Sequence, residues 1–240
     1  MIDLHCHILP GIDDGARDLE DALALCKMAA ADGIRHMTAT PHIHPGRWEN
    51  TRQSIQPVFE HLQSQLVAEN IPLSLAMAGE VRLSAEVLAL FANQSLPYLG
   101  EWEGKQVMLL ELPHGNVPPG SDKLAKWLID RGVLPMIAHP ERNKGFAADI
   151  SRLYPFLEMG CLLQLTAMSI CDRFGDYAYE TAHTILEQGW ATIVASDAHN
   201  CESRPPVLSE AFGIVAERYG DKMAEQLFVT NPGRIAGLSE

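Results

Sequence analysis

The sequence predicts an α/β fold, a distorted (β/α)7 barrel of the TIM-barrel-like kind, in a single domain over residues 1–240. Three observations carry this. Short apolar runs alternate seven times with segments of helical periodicity, the pattern of a parallel sheet with crossover helices. Six of the seven runs end in histidine or a carboxylate, and residues from six strand ends converge only if the strands form a ring; an open sheet gathers its ligand at one switch point. The 240 residues, 47% hydrophobic, suffice for one large core and suit one α/β domain better than two small ones.

The first run, Met1-Ile2-Asp3-Leu4-His5-Cys6-His7, places two histidines at i and i+2, on one face of a strand. Residues 8–16, with Pro10, Gly11, Asp13, Asp14 and Gly15, read as a loop. Asp18 is placed to cap a helix with Leu19, Leu23, Cys26 and Ala30 on its apolar stripe, stopped by Gly33. Residues 34–40 form the second strand and lead into Pro41-His42-Ile43-His44-Pro45-Gly46. A long helix carries Ile55, Val58, Phe59, Leu62 and Leu66 at helical spacing, and residues 71–78 make a third strand closed by Gly79-Glu80.

Ser84 is expected to cap the next helix. Residues 106–112 make the fourth strand, with Glu111 in an apolar run where a carboxylate is costly unless paired or bound to metal. Ser121 is expected to cap a helix with Leu124, Trp127 and Leu128, ended by Gly132. The fifth strand, 133–138, delivers His139-Pro140-Glu141-Arg142-Asn143. A helix over 153–159 carries Pro155 and so begins late or kinks, and Gly160 precedes the sixth strand, 161–166. A helix over 177–188 leads to the seventh strand, 191–196, which ends in Asp197-Ala198-His199. From Pro205 the tail reads as helical, with breaks at Gly220 and at Asn231-Pro232-Gly233.

Composition excludes several classes of function. No stretch approaches the ~18 unbroken apolar residues of a membrane span, and the chain opens on a strand without a signal-peptide pattern, so it reads as soluble and cytoplasmic without membrane insertion. Five cysteines, Cys6, Cys26, Cys161, Cys171 and Cys201, are an odd number without close pairs, which fits reduced thiols. A net charge of −13 repels a phosphate backbone, making nucleic acid a poor partner, although bound cations would offset part of that charge.

The donors at the strand ends and in the first loop are His5, His7, Asp14, His42, Glu80, Glu111, His139, Asp197 and His199. Nine exceed the roughly four ligands of one zinc and suit two or three first-row ions sharing carboxylates. His36, within a strand, His61 and His183, on helices, and His114, in a loop, are left out, and His44 is ambiguous. Arg142 follows His139 and Arg204 follows His199 closely; a guanidinium donates paired hydrogen bonds to a tetrahedral oxyanion at any working pH, so metals with arginines point to a phosphate ester.

His5-Cys6-His7, Thr40-Pro41-His42, Gly79-Glu80, His139-Pro140-Glu141-Arg142-Asn143 and Ser196-Asp197-Ala198-His199-Asn200 resemble the polymerase and histidinol phosphatase (PHP) superfamily. Residues 7–16 and Arg204-Pro205-Pro206 resemble, more narrowly, its capsule-type (CpsB-type) manganese-dependent bacterial protein-tyrosine phosphatases. The resemblance covers most of the chain, in order. It implies a PHP fold, a trinuclear site built from the nine donors, and phosphate binding by Arg142 and Arg204. It also implies a role in capsule or exopolysaccharide synthesis, with a tyrosine-phosphorylated polysaccharide-export autokinase as partner. The segment Ile43-His44-Pro45-Gly46-Arg47-Trp48 departs from the usual family run and leaves the shape of the pocket mouth open.

The fitting mechanism is metal-assisted hydrolysis, in which cations favour deprotonated water and the metals and arginines hold the non-bridging oxygens. No cysteine is followed by arginine six positions on, so the cysteine-dependent phosphatase design is absent. Histidine and carboxylate donors suit manganese, iron and zinc alike, and the resemblance implies manganese, with iron or zinc as alternatives. A small-molecule phosphatase such as histidinol phosphatase, a phosphodiesterase, and a non-catalytic metal-binding module are the competing readings.

Overall fold

The computed structural model describes residues 1–238. Each of the seven predicted runs contains a strand. The strands are β1 (Ile2–Cys6), β2 (His36–Ala39), β3 (His42–Ile43), β4 (Ser74–Met77), β5 (Glu80–Arg82), β6 (Gly100–Trp102), β7 (Lys105–Glu111), β8 (Val133–Ala138), β9 (Leu162–Thr166) and β10 (Ile193–Ala195). The three unpredicted pieces have local causes. Thr40-Pro41 interrupts the second strand path, because proline has no N–H for the ladder, and β3 resumes beyond it. Gly79 interrupts the third before β5; a Cβ there would lie 2.6 Å from Ile43 Cδ1 and 2.9 Å from Pro97. β6 folds back antiparallel onto β7 through Glu103 (φ 51°) and Gly104 (φ 79°), the positive-φ pair of a tight hairpin.

The strand paths form a ring. β1 pairs β2 and β2 pairs β4, all parallel. Past the interruptions β3 pairs β5, and parallel pairing continues from β5 through β7, β8 and β9 to β10. Asp197 N donates to His5 O and His7 N to Ala198 O, both at 2.8 Å, joining the last path to the first. Cys6 also bridges Ala198 in parallel. The carboxyl ends of all seven paths therefore share one rim.

Period-two alternation sorts the strand residues between two cores. Val107 and Leu109 of β7, Leu134, Met136 and Ala138 of β8 and Leu162 of β9 share one cluster with Ile235 from the C-terminal helix. Met108, Leu110, Val133, Ile137, Leu163 and Leu165 face the larger cluster beneath the helices. Glu111 continues the row of Val107 and Leu109, and Gln164 that of Leu162, so both polar groups end apolar rows at the rim.

Asp18 caps the helix Leu19–Ala31 by accepting from Asp21 N, as its position predicts. Several expected boundaries are corrected. Ser84 caps nothing: the next helix is Val87–Ala92, with Glu86 at its N-cap, and Ser84 Oγ is buried without a partner. Ser121 is the first residue of its helix; Gly120, at φ 87°, takes the cap, and Ser121 Oγ donates to Pro118 O at 2.7 Å. Pro155 sits in the first turn of Tyr154–Glu158, where its missing N–H costs no helical hydrogen bond. The tail becomes helical only at Ser209, and Asn231-Pro232-Gly233 begins the helix Asn231–Ala236 instead of breaking one, with Asn231 Nδ2 donating to Thr192 O at 2.8 Å. Among the described residues no helix is long and apolar enough to cross a membrane.

Candidate metal centre

The ring's carboxyl rim brings together all nine donors singled out in the sequence. Potential ligand atoms lie within 4.8 Å of one another in overlapping sets: His7, Asp14, His42 and His199; His5, His7 and Glu80; His5, His139 and Asp197; His42, Glu80 and Glu111. His5, His7, His42 and Glu80 each belong to two of these, which is the arrangement that adjoining ions with common ligands require. A further set, Glu111, His114 and His139, brings in a residue the sequence reading set aside. His114 stacks on His139 with ring centroids 5.5 Å apart and planes 6° apart. Its only sequence signal was its place three residues after Glu111, just past a strand.

Hydrogen bonds fix two tautomers. His5 Nδ1 lies 2.8 Å from Gln164 Oε1, which also accepts from His139 N at 3.2 Å. His7 Nδ1 lies 2.7 Å from Asp13 Oδ2. A neutral imidazole has one N–H, so these contacts leave both Nε2 atoms as bare lone pairs. Yet the two Nε2 atoms face each other at 3.3 Å, each 3.3 Å from Asp197 Oδ1 and 3.4–3.5 Å from a Glu80 oxygen. Lone pairs and carboxylates converging in this way need a positive charge between them. Protons supply it in one way: burial pulls the His7 pKa down, but Asp13, Asp197 and Glu80 hold it well above its ordinary value. A divalent cation supplies it in the other. His42 Nδ1 points the same way, being buried without a hydrogen-bond partner and 2.8 Å from Glu80 Oε2. The donors therefore fit divalent metal ions.

The surrounding groups divide the charge unevenly. Burial opposes ionisation of Glu80, but His5 and His42 hold its carboxyl well below the usual range. Burial and the charge of Glu80 push Glu111 up to about 7, against the pull of Arg82, whose guanidinium is 3.0 Å away. Burial and Arg142 lower His139 to about 3, keeping its imidazole neutral and able to act as a ligand.

Arg142 and Arg204 both donate to Asp197 Oδ2, while Oδ1 of the same carboxylate faces His5 and His7. The Arg142 guanidinium lies 4.5 Å from the centroid of Phe174, and that of Arg204 6.0 Å. Local backbone sets these positions. His139 (φ 33°) and Asp197 (φ 52°) take left-handed conformations at the ends of their strands, a strain that recurs at functional sites. Gly15 lets the first loop lie on β1, since a Cβ there would stand 1.9 Å from His7 O.

Four supporting residues escaped the sequence reading. Asp13 also accepts from His42 N and Gly15 N, and Gln164, Arg82 and Phe174 act as described; Asp13 lies in the run 7–16 but nothing there marks its role, and the other three lie in no motif. His44 and Trp48 pair through backbone hydrogen bonds at the pocket mouth. His36, His61 and His183 belong to none of the ligand sets above. Cys6 is fully buried, its thiol pushed well up by burial and by Asp3, and it donates to Thr38 O at 3.3 Å.

The sequence pattern of the CpsB/CapC family, capsular polysaccharide synthesis, matches residues 1–236. The chain belongs to the CpsB/CapC family. Among its relatives, the tyrosine-protein phosphatase YwqE of Bacillus subtilis is 34% identical over 227 residues, spanning 95% of this chain and 88% of YwqE. The tyrosine-protein phosphatase CpsB of Streptococcus pneumoniae is 30% identical over 243 residues, 98% of each chain. The CpsB/CapC chain also superposes with a TM-score of 0.92 and 32% identity on a structure from work describing YwqE and CpsB as metal-dependent tyrosine phosphatases, covering 100% of this chain and 96% of that one. The phosphotriesterase homology protein of Escherichia coli, at 10% identity, TM-score 0.61 and 98% coverage of both chains, shares the fold alone.

Proposed function

We propose that this CpsB/CapC chain is a metal-dependent protein-tyrosine phosphatase acting in capsule or exopolysaccharide synthesis. The observation that carries the reading is the pairing, on Asp197, of a metal-facing oxygen with an oxygen held by Arg142 and Arg204. That geometry sets two guanidiniums beside the metal donors, where a phosphoryl group bound to both would sit. The likeness to YwqE, which carries the tyrosine-phosphatase name at 34% identity, selects the substrate class.

His5, His7, Asp14, His42, Glu80, Glu111, His139, Asp197 and His199 would hold two or three divalent ions; the donors suit manganese, iron and zinc alike, and the resemblance of the motifs to manganese-dependent phosphatases favours manganese. Bound there, such ions supply a water nucleophile at neutral pH and Lewis-acid stabilisation of the phosphoryl oxygens. The protein's own groups do the rest. Arg142 and Arg204 hold the non-bridging oxygens and stabilise the charge that grows on them in the transition state. Asp13 and Gln164 keep the protons of His7 and His5 on Nδ1, turning Nε2 toward the centre. A tyrosine leaving group, with a pKa near ~10, departs with little help from a protein acid. The buried Cys6 thiol takes no part as a nucleophile.

The expected partner is a tyrosine-phosphorylated protein, in the first instance an autokinase of polysaccharide export. Phosphate release from a phosphotyrosine peptide by metal-loaded and chelator-stripped protein, with histidinol phosphate as the competing substrate, tests the reading.

A further inference from the structure

We propose that Arg47 is a specificity residue that pairs with a carboxylate flanking the phosphotyrosine of the substrate; the inference rests on the phosphatase reading above. It starts from the segment where the sequence leaves the family pattern. Beyond β3 the chain makes a tight turn: His44 N donates to Trp48 O at 3.0 Å, and Trp48 N to His44 O at 2.8 Å. Gly46 takes φ 84° within that turn, and its N–H donates to Glu49 Oε1 at 2.6 Å. Asn50 Nδ2 donates to both Ile12 O and His42 O at 2.9 Å, tying the end of the segment to the first loop and to a metal donor. The turn is therefore pinned at both ends.

Its side chains are ordered as well. Trp48 stacks on His42, with ring centroids 4.6 Å apart and planes 12° apart. The Arg47 guanidinium lies 3.9 Å from the centre of a Trp48 ring, a cation–π contact that holds an otherwise mobile side chain at the mouth of the metal pocket. The pocket's other guanidiniums have other roles: Arg82 pairs with Glu111, and Arg142 and Arg204, held on Asp197, are the groups assigned above to the phosphoryl oxygens. Among the described residues Arg47 pairs with no carboxylate of its own chain. In a protein of net charge −13, an acidic peptide is repelled unless a local positive group receives it. Arg47 is an uncommitted cation where the peptide on either side of a seated phosphotyrosine must pass. Because the guanidinium is pre-positioned, less side-chain entropy is lost on pairing.

The test compares two phosphotyrosine peptides, one with glutamates beside the phosphotyrosine and one with glutamines in their place. The readout is the ratio of their kcat/KM values within one preparation, which cancels differences in metal loading. The parent enzyme is expected to favour the acidic peptide about three- to tenfold, as a partly exposed charge pair allows. Arg47→Gln should bring the ratio to near one, and high salt should do the same to the parent. Equal rates in the parent, or a ratio in Arg47→Gln within about twofold of the parent's, would overturn the inference and leave the phosphatase reading intact. A metal-loaded parent that hydrolyses neither peptide defeats the phosphatase reading itself.

Discussion

Replacing Arg142 or Arg204 by alanine separates phosphate recognition from metal assembly. Both guanidiniums reach the same oxygen of Asp197, and their side chains are 13% and 24% exposed. A charge-assisted contact to an oxyanion in so enclosed a site contributes about 2–4 kcal/mol to the transition state, so each variant should lose roughly thirty- to a thousandfold in kcat/KM. Arg142, the more buried and the nearer to Phe174, belongs at the upper end of that range, and Arg204 at the lower. Because they act on one oxyanion and share one carboxylate, Asp197, the double variant should lose less than the product of the single losses. Removing a cation beside Asp197 takes nothing from its metal-facing oxygen, so metal content by elemental analysis and the far-ultraviolet circular dichroism should match the parent. Inorganic phosphate should inhibit the variants less. Rates within about threefold of the parent at unchanged metal content would refute a phosphate-binding role.

Asp13→Asn should weaken metal affinity about ten- to a hundredfold, because an amide must set its NH2 against either the His7 ring or the Gly15 N–H. Competition with a chelating dye reads this directly, and an affinity within threefold of the parent would remove Asp13 from the account. His36 tests the fold instead. It is buried, with Nδ1 2.8 Å from Ser74 Oγ, and burial lowers its pKa below the ordinary 6.5. The folded protein thus binds this proton less readily than the unfolded chain. Its stabilising contribution is complete above 6.5 and is lost as pH falls from 6.5 toward the folded pKa, by at most about 1.4 kcal/mol per pH unit. Urea unfolding at pH 7.5 and 5.5 should show a smaller acid loss in His36→Gln than in the parent, since the other histidines cancel in the difference. Equal losses would contradict the assignment.

The barrel was legible because each strand path is short and apolar and ends in a group that does not belong in a core. His5, His7, His139 and Asp197 announce themselves in this way. Glu111 did so through its cost, as a carboxylate closing the Val107 and Leu109 row. The breaks in the second and third paths were hidden, since Pro41 and Gly79 read equally well as strand ends. Ser84 and Ser121 misled for a related reason. A serine before an apolar run satisfies the capping pattern, but whether its hydroxyl meets the helix N–H groups depends on the incoming turn, which Gly120 sets at φ 87° for Ser121. In the sequence His114 carried only the signal of its place just past a strand, and Gln164 carried none. One lies in a loop that only the fold carries over His139, and the other is a neutral amide in an apolar run whose value is its contact with His5. Asp13 was visible as half of an Asp-Asp pair, but nothing in the pair says which carboxylate faces His42 and His199 and which supports His7.

His5 and His7, with their protons held on Nδ1, turn Nε2 lone pairs toward the carboxylates of Glu80 and Asp197, and divalent cations seated among them would make the enzyme. The most direct measurement strips the protein with a chelator, confirms by elemental analysis that the metals are gone, and follows phosphate release from a phosphotyrosine peptide as manganese is titrated back. The account predicts activity near background when stripped, recovery that saturates at two or three ions per chain, and little hydrolysis of histidinol phosphate. Full activity in the metal-free protein would contradict it.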